Sequence, residues 1–514
     1  MNTDDQPDRA RRRGLWAIGL WALVIGGALA WTWLFQDTHR QSTWIHTTII
    51  AIAAWSGFLV WVLFGSRWPA RVRWAVFGGT IGLMILGPLA FRISGVNGDL
   101  LPILDWRWKK ARVVSVEQQG GARTAESARL TNSYPQFLGP SRDGVLPGPA
   151  LARDWKQFPP KELWRHAVGS AWSAFAVDGA RAITQEQRGD DELVVCYDAL
   201  TGLQLWAHAD QSRYATTIAG EGPRATPTIA GDRVFSIGGT GVLNCLELAT
   251  GKMIWSKDTL KEHGAKLPDW GVASSPLVTE RAVIVAVGGR NRSLVAYARD
   301  TGAKLWAAGH DDAHWSSPIR VTLAGVPQVL IFSESVSGQD EQTGAVLWQY
   351  PWRNVYPHVS VPLVLSGDRV LASQGYGAGS ELIQVSHDEG KWRTKQVWKS
   401  IRMKSKFGTL IHRDGFVYGL DDGALACIDA ATGELKWKGD RYGHGQMMLV
   451  GGLLLLMAES GEIILLEPNP TEQRELARFK VFSTKTWNPP ALAGDLLFVR
   501  NDRESACLRL PLAQ

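Results

Sequence analysis

Three uncharged apolar stretches dominate the beginning of the chain. They cover residues 14–35, 44–65 and 74–91. An α-helix needs about 20 apolar residues to cross the hydrocarbon core of a bilayer. The first two stretches reach that length, and the third, at 18 residues, is close to it. A signal peptide would carry one shorter stretch followed by soluble sequence, so the pattern predicts three transmembrane helices.

The arginines around these stretches predict the orientation of the helices. One arginine lies between the first and second stretches, whereas four precede the first stretch and three separate the second from the third. In chain order they are Arg9, Arg11, Arg12, Arg13, Arg40, Arg67, Arg71 and Arg73. Cationic loops are retained in the cytoplasm. The N-terminal residues 1–13 are therefore predicted to be cytoplasmic, and everything after the third helix external.

Residues 92–134 are predicted to form a juxtamembrane segment and a linker. Trp106 and Trp108 stand near the predicted membrane surface, as aromatic residues do at bilayer interfaces. Residues 115–134 are polar and rich in Gly, Ala and Ser, a composition typical of a flexible connection.

From residue 135 onward the pattern changes to short alternating strands. Five segments share a Thr-Gly turn followed by a strand in which tryptophan stands four residues after the glycine: YDALTGLQLW at 197–206, LELATGKMIW at 246–255, YARDTGAKLW at 297–306, DEQTGAVLW at 340–348 and IDAATGELKW at 428–437. Glycine supplies the positive φ that a tight hairpin requires. Further apolar runs precede each segment, which gives four strands per unit.

Degenerate copies complete a series of eight units. The aromatic positions are Trp164, Trp206, Trp255, Trp306, Trp348, Trp398, Trp437 and Phe479, at intervals of 39 to 51 residues. Solenoid repeats of this length are mostly helical, whereas these units are rich in Val, Leu and Ile with a period of two. The series predicts an all-β, eight-bladed β-propeller over residues 135–514, with the seven tryptophans as structural docking residues. The strand around Trp164 is predicted to complete the last blade and close the ring.

Composition excludes several classes of function. The net charge of +6 is modest for 514 residues, and part of it lies in the N-terminal arginines, so no nucleic-acid partner is expected. All four cysteines lie in apolar runs and are predicted to be buried thiols: Cys196, Cys245, Cys427 and Cys507. The sequence contains no CxxC or HExxH motif, and no metal site is predicted.

Propeller topology predicts where a ligand would bind. The first strand of each blade lines the central channel, and the loops that lead into these strands open on one face. These loops carry tryptophans, histidines and cations, which bind planar or anionic groups. The candidate ligand-binding residues are Trp172, Arg224, Trp270, His314, Trp315, His358, Lys406, His444, Trp487 and Asn488. No Ser/His/Asp triad can be assigned, because no GxSxG motif is present, and no catalytic residue is predicted.

The Thr-Gly…Trp signature resembles the PQQ-like, or quinoprotein-type, propeller repeat, in which the tryptophan docks on the backbone of the neighbouring blade. The stretch FLGPSRDGV at 137–145 is similar to the lead-in of uncharacterised bacterial PQQ-like repeat proteins. Quinoprotein dehydrogenases and non-catalytic propellers share this repeat, and the non-catalytic ones include the lipoprotein that assists outer-membrane β-barrel assembly. The resemblance therefore implies a fold and leaves two functions open.

The first hypothesis is a non-catalytic binding module for an envelope protein or a small ligand. It would be anchored by several helices in the bacterial inner membrane, with the propeller periplasmic or extracellular. The alternative is a quinoprotein-type oxidoreductase that oxidises an alcohol or sugar and feeds electrons to membrane quinone. The resemblance implies that such an enzyme holds pyrroloquinoline quinone (PQQ) over a tryptophan floor, with calcium bound by Glu, Asn and Asp. Alcohol dehydrogenases of this type also use a disulfide between adjacent cysteines, and the sequence has no such pair.

Overall fold

The computed structural model describes residues 19–35, 40–108, 133–352, 354 and 356–513. The chain divides into two compact units, Met1–Arg112 and Val113–Gln514. The N-terminal arginines before residue 14 and the linker residues 109–132 lie outside the described part of the chain.

The first unit contains apolar helices and one hairpin. The helices are α1 (Gly19–Leu34), α2 (Arg40–Gly65) and α3 (Ala70–Ala90). The last residues of the first two helices are π-helical, over Trp31–Phe35 and Trp61–Gly65. By length and composition, α2 and α3 could cross a bilayer, whereas the described part of α1 is a shorter apolar helix.

Helix α3 begins earlier than the apolar stretch at residue 74 indicates. Pro69 is its N-cap, and the fixed φ of proline suits the start of a helix. Arg71 and Arg73 consequently lie in the first turn, and the guanidinium of Arg73 donates a hydrogen bond to the carbonyl of Leu63 at 2.8 Å.

The second unit contains eight four-stranded antiparallel blades. Blade 1 consists of Ala176–Asp178, Arg181–Arg188, Asp191–Asp198 and Gln204–Asp210, and blade 2 of Thr228–Ala230, Arg233–Ile237, Val242–Glu247 and Met253–Asp258. Blade 3 consists of Leu277–Val278, Ala282–Ala286, Leu294–Ala298 and Lys304–Ala308. Blade 4 consists of Ile319–Leu323, Val326–Phe332, Ser335–Asp340 and Val346–Pro351. Blade 5 consists of Leu363–Leu365, Arg369–Gln374, Gly379–Asp388 and Lys391–Ser400. Blade 6 consists of Ile411–Arg413, Phe416–Asp421, Ala424–Asp429 and Leu435–Arg441. Blade 7 consists of Gln446–Val450, Leu453–Met457, Glu462–Glu467 and Arg474–Lys480. The predicted all-β, eight-bladed propeller is confirmed.

Blade 8 joins the two ends of the propeller. Its first three strands are Ala491–Ala493, Leu496–Arg500 and Glu504–Arg509, and its outer strand is Lys161–Ala167 from the start of the domain. Trp164 lies opposite Cys507 in this last pairing. The predicted closure by the Trp164 strand is therefore confirmed, and it protects the edge of the last sheet.

Smaller elements connect the blades. Val145–Leu146 adds a short parallel strand to blade 7, and a two-residue hairpin pairs Ala215–Thr216 with Gly220–Glu221. One short helix, Thr259–His263, follows blade 2.

Six of the seven predicted docking tryptophans contact the next blade in the same way. Each indole N–H donates a hydrogen bond of 2.8–3.2 Å to a backbone carbonyl in the turn before the neighbouring outer strand. The pairs are Trp164–Ala199, Trp206–Leu248, Trp255–Arg299, Trp306–Glu341, Trp398–Ala430 and Trp437–Asn469. Because the turn glycine faces the indole, a Cβ on Gly302 would lie 2.8 Å from the Trp255 ring. Glycine is needed there for space as well as for its positive φ.

Trp348 departs from this pattern. Its indole donates to the Oε1 atom of Gln328 in its own blade at 2.6 Å. The two outer strands of blade 5 are ten residues long and turn at Asp388–Lys391. The turn that would offer a backbone carbonyl to Trp348 therefore lies further along the blade 5 hairpin. The side-chain amide oxygen of Gln328 in blade 4 accepts the indole hydrogen bond in its place. The eighth position, Phe479, is partly buried and packs against the core around blade 8.

The four cysteines lie opposite docking tryptophans in the paired strands. The pairs are Cys196–Trp206, Cys245–Trp255, Cys427–Trp437 and Cys507–Trp164. All four thiols are free and buried, as predicted. A small side chain at this position leaves room for the indole of the partner strand.

Candidate functional site

The inner strands begin at one end of the channel, here called the mouth, where hydrogen bonds run from blade to blade. The backbone N–H of Ala174 donates to the Thr226 hydroxyl at 3.2 Å, and that of Thr226 donates to the Ser275 hydroxyl at 2.9 Å. The N–H of Ser275 in turn donates to the Ser317 hydroxyl at 2.9 Å. These bonds fix the starts of four inner strands relative to one another.

Two amide side chains complete this frame on the other side of the mouth. The amide of Asn488 donates to the carbonyls of Ala171 and Ser173 at 3.1 and 2.8 Å. The amide of Gln446 donates to the carbonyls of Phe407 and Trp487 at 3.2 and 3.1 Å. Asn488 is buried and links blade 8 to blade 1, so it supports the mouth from within the wall.

Aromatic rings extend from this frame and meet across the mouth. The ring centroids of Trp172 and Trp487 are 4.9 Å apart, and those of Phe407 and Trp487 are 5.1 Å apart. On the other side, Trp270 lies 4.8 Å from Trp315 and 6.5 Å from Tyr376. Trp270 precedes blade 3, whereas Tyr376 belongs to blade 5, so the contacts bridge blades that are not neighbours.

Cations cover several of these rings. The ammonium of Lys485 lies 3.8 Å from the ring centroid of Trp487 and 4.7 Å from that of Trp172. The ammonium of Lys406 lies 4.4 Å from the Tyr376 ring. Burial lowers the pKa of Lys485 to about 8, because transfer of an ammonium out of water disfavours its charged form.

Arg224 joins the same network through a shared acceptor. Its guanidinium and the Trp172 indole both donate to the carbonyl of Ala219, each at 2.8 Å. The guanidinium also lies 4.4 Å from the Tyr214 ring. Burial lowers the pKa of Arg224 to about 10.

Two stacked histidines form the part of the mouth next to Trp315. The rings of His314 and His358 are 4.4 Å apart, and His358 also stacks on Phe332 at 4.3 Å. Burial is the main cause that lowers the pKa of both imidazoles, and the pKa of His358 falls to about 3. Both rings are therefore neutral at pH 7, and the fully buried His358 packs as an aromatic residue.

All ten sequence-predicted residues lie in this one network, since Phe407 also contacts His444 at 5.8 Å. Six of them keep part of their surface exposed: Trp172, Arg224, Trp270, His314, Trp315 and Trp487. The other four are buried and brace the network: His358, Lys406, His444 and Asn488. Tyr376, Phe407 and Lys485 were not predicted. Phe407 and Lys485 are close in sequence to Lys406 and Trp487, and Tyr376 interrupts the glycine-rich run GYGAGS.

The segment that precedes the first blade contacts several blades of the propeller. The backbone of Tyr134 exchanges hydrogen bonds of 2.9 and 2.8 Å with Val177 of blade 1. Further along the segment, Val145 pairs with Leu449 of blade 7, and Leu151 forms a bridge with Leu512.

Arg142 fixes the middle of this segment. Its side chain is buried and donates hydrogen bonds of 3.0 Å to the carbonyls of Ser275 and Pro276 at the start of blade 3. Leu138 packs with Ile319 of blade 4 in the same core cluster. The FLGPSRDGV stretch thus lies against blades 3, 4 and 7.

The gap between Trp172 and Trp487 does not fit a quinone. A planar ring between two aromatic faces needs about 7 Å between them, twice a van der Waals contact. The rings of Trp172 and Trp487 are 4.9 Å apart, and the Lys485 ammonium covers both. A quinone therefore cannot lie between these two rings.

Comparison with known proteins agrees with this architecture. A family model described as outer membrane protein assembly factor BamB matches residues 190–439, which include repeats of blades 1 to 6. The chain is a PQQ-like β-propeller protein.

Two curated relatives and one solved structure illustrate the similarity of this PQQ-like propeller protein. BamB of Moranella endobia is 21% identical over 248 residues, and BamB of Burkholderia pseudomallei is 26% identical over 263 residues; each alignment covers 47% of this chain. The matches span 63% and 64% of these relatives. The structure of a europium-containing methanol dehydrogenase aligns with a TM-score of 0.57 at 11% identity, over 74% of this chain and 98% of the dehydrogenase. This last likeness concerns the fold alone.

Proposed function

We propose that this PQQ-like propeller is a non-catalytic binding module, held at a membrane, whose mouth binds an envelope protein or a small ligand. The main support is the mouth, where half-buried aromatic rings and cations from different blades form one network. Partly exposed tryptophans in a rigid frame are the residues that most often dominate binding energy. The relatives are named as assembly factors for outer membrane proteins, which supports a protein as the ligand.

The chemistry of the mouth favours a partner segment that combines apolar or aromatic side chains with carboxylates. Trp270 and Trp315 offer apolar faces, and Arg224 and Lys485 carry positive charge in a partly desolvated setting. Electrostatic attraction is stronger where water is partly excluded. A segment of this kind would bind at the mouth, where these four side chains keep part of their surface exposed.

We propose a multi-pass anchor in the bacterial inner membrane, with the N-terminus in the cytoplasm and the propeller on the external side. Helices α2 and α3 have the required length and hydropathy, and the uneven distribution of arginines supports this orientation. Alkaline phosphatase fused to the C-terminus, which is active only outside the cytoplasm, should be active in cells. An inactive but stably produced fusion would contradict the orientation.

Photo-crosslinking in native membranes tests the binding site. A photoreactive phenylalanine analogue at Trp270 should trap a discrete partner, and Trp487→Ala should reduce the yield at least about ten-fold, as expected for a hot-spot residue. Leu205→Ala is the matched control, because Leu205 is exposed on the outer strand of blade 1. An equal loss in the control, or no loss in Trp487→Ala with its fold intact, would reject the mouth as the binding site.

The alternative, a quinoprotein-type oxidoreductase with PQQ and calcium, shares two features with this chain. The fold is similar to that of the methanol dehydrogenase, and the mouth is rich in tryptophan. Titration of the full-length protein with PQQ and Ca²⁺, followed by dye-linked alcohol and sugar oxidation, separates the two functions. The binding module should neither bind the quinone saturably nor turn over; turnover would replace our proposal.

A further inference from the structure

The first unit ends in a β-hairpin that directly follows α3. Its strands are β1 (Phe91–Val96) and β2 (Pro102–Trp106), and Phe91 follows the last residue of the helix. The Asn97 side chain accepts hydrogen bonds from the N–H groups of Asp99 and Leu101, which shapes the turn.

The register of the hairpin separates an apolar face from a polar one. Phe91 pairs with Trp106, and Ile93 pairs with Leu104. Since paired residues and every second residue lie on the same side of a sheet, these four side chains form one apolar face. Arg92, which pairs with Asp105, belongs to the other face.

The apolar face is strongly exposed. The exposed fractions are 55% for Ile93, 57% for Leu104, 54% for Trp106 and 71% for Trp108. The Phe91 and Trp106 rings lie 4.3 Å apart, and the Trp106 and Trp108 rings lie 5.9 Å apart. The aromatic side chains therefore form a continuous surface, and the exposure of contiguous apolar groups usually marks an interaction site.

A two-stranded hairpin is marginally stable by itself in water, so the position of this one needs support from its surroundings. The N–H of Arg107 donates to the carbonyl of Ala90 at 3.0 Å, and its Nε atom donates to the carbonyl of Pro88 at 2.6 Å. These bonds tie the end of β2 to the C-terminal turn of α3. The hairpin consequently begins where the apolar helix ends.

We infer that the hairpin lies in the boundary between headgroups and acyl chains of the bilayer, with the face of Ile93, Leu104 and Trp106 towards the lipid. The inference rests on the proposed membrane anchor. Continuity with α3 brings the hairpin to that depth, and tryptophan is enriched there because its ring is apolar and its N–H is polar. Arg107, which is bonded to the end of α3, adds positive charge that complements anionic headgroups.

Lipid-attached quenchers test this placement in the full-length protein. Leu104→Cys and Arg92→Cys carry an environment-sensitive fluorophore on the apolar and polar faces, and Leu83→Cys, 74% exposed in α3, reports on the anchor. The four native cysteines are buried, which limits background labelling. In nanodiscs of phosphatidylcholine and phosphatidylglycerol, a quencher near the headgroups should quench the Leu104 label at least about two-fold more than the Arg92 label.

The other outcomes separate this inference from the proposed anchor. Quenching of the Leu83 label by a deep quencher, with equal quenching at Leu104 and Arg92, would overturn the hairpin placement and leave the anchor intact. No lipid quenching at Leu83 would overturn the anchor and, with it, the hairpin placement. A Leu104 label shielded from both lipid-attached quenchers and aqueous iodide would mean that protein covers this face, which also rejects the inference.

Discussion

The outer rim and the mouth of the propeller both depend on tryptophan, but they use it differently. At the rim, six indoles repeat one interaction, in which the N–H binds a carbonyl of the next blade. At the mouth, rings from different loops contact one another and lysine ammonium groups, with no common pattern. The same contact recurs because every blade packs against the next one in the same way to close the ring. The mouth residues are not needed to close the ring, so they can differ from blade to blade and provide a surface that binds one partner.

The largest expected difference between the two regions is in stability. Trp255→Ala should lower the free energy of unfolding by about 3–5 kcal/mol, because a buried indole, 7% exposed, leaves a cavity between blades. Trp270→Ala at the mouth should cost less than about 1 kcal/mol, since its ring is only half-buried. Denaturant unfolding of the full-length protein, followed by near-UV circular dichroism, measures both. A loss below about 1 kcal/mol for Trp255→Ala would contradict the docking role.

A second prediction isolates the contact between a turn glycine and the docked indole. Gly302→Ala should cost about 2–4 kcal/mol, since it combines left-handed backbone strain with a clash against Trp255. Gly325 also has positive φ, but a Cβ there would meet nothing within 4 Å, so Gly325→Ala should cost only about 1–2 kcal/mol. Equal losses would show that the indole yields to the new methyl group.

The same contrast explains what could be predicted from the sequence. The blades, the closing strand at Trp164 and the docking tryptophans follow from local, repeated signals. The ten mouth residues could be predicted because topology places the start of every inner strand at one end of the channel. Tyr376 was not predicted as a mouth residue because its contact with Trp270 joins blades 3 and 5. A local sequence pattern does not indicate a contact between blades that are not neighbours.

Other elements were missed for reasons that are equally physical. The hairpin at Phe91–Trp106 is interrupted by a bulge between Ile93 and Gly95, which breaks the alternation that marks a strand. Arg142 binds backbone carbonyls that are more than 130 residues away in sequence. The FLGPSRDGV stretch therefore indicated a resemblance to a family, but not which blades this stretch contacts.

The one irregular position at the rim offers a third, smaller test. Trp348→Phe should cost about 1–3 kcal/mol, because the amide oxygen of the fully buried Gln328 loses its indole donor and no water can replace it. Trp306→Phe should cost only about 0.5–1.5 kcal/mol, because it removes the bond to a backbone carbonyl at the half-exposed Glu341 turn. Equal losses in denaturant unfolding would mean that the side-chain amide replaces the missing carbonyl of blade 5 without any extra penalty.

The smallest effect concerns the charge that covers the tryptophans of the mouth. Because burial lowers the pKa of Lys485 to about 8, the folded protein loses this proton before the unfolded chain, whose lysine pKa is about 10.4. The unfolded state therefore binds more protons between these values, and the wild type gains stability as pH rises from 8 towards 10. Lys485→Met should lack this gain, so the difference in unfolding midpoint should shift in favour of the wild type as pH rises. Lys391→Met, at an exposed position of the blade 5 hairpin, is the control. If it shows the same trend, the ammonium over Trp172 and Trp487 is no more desolvated than a lysine of the rim, and the mouth loses the partly dry, cationic character on which its proposed role depends.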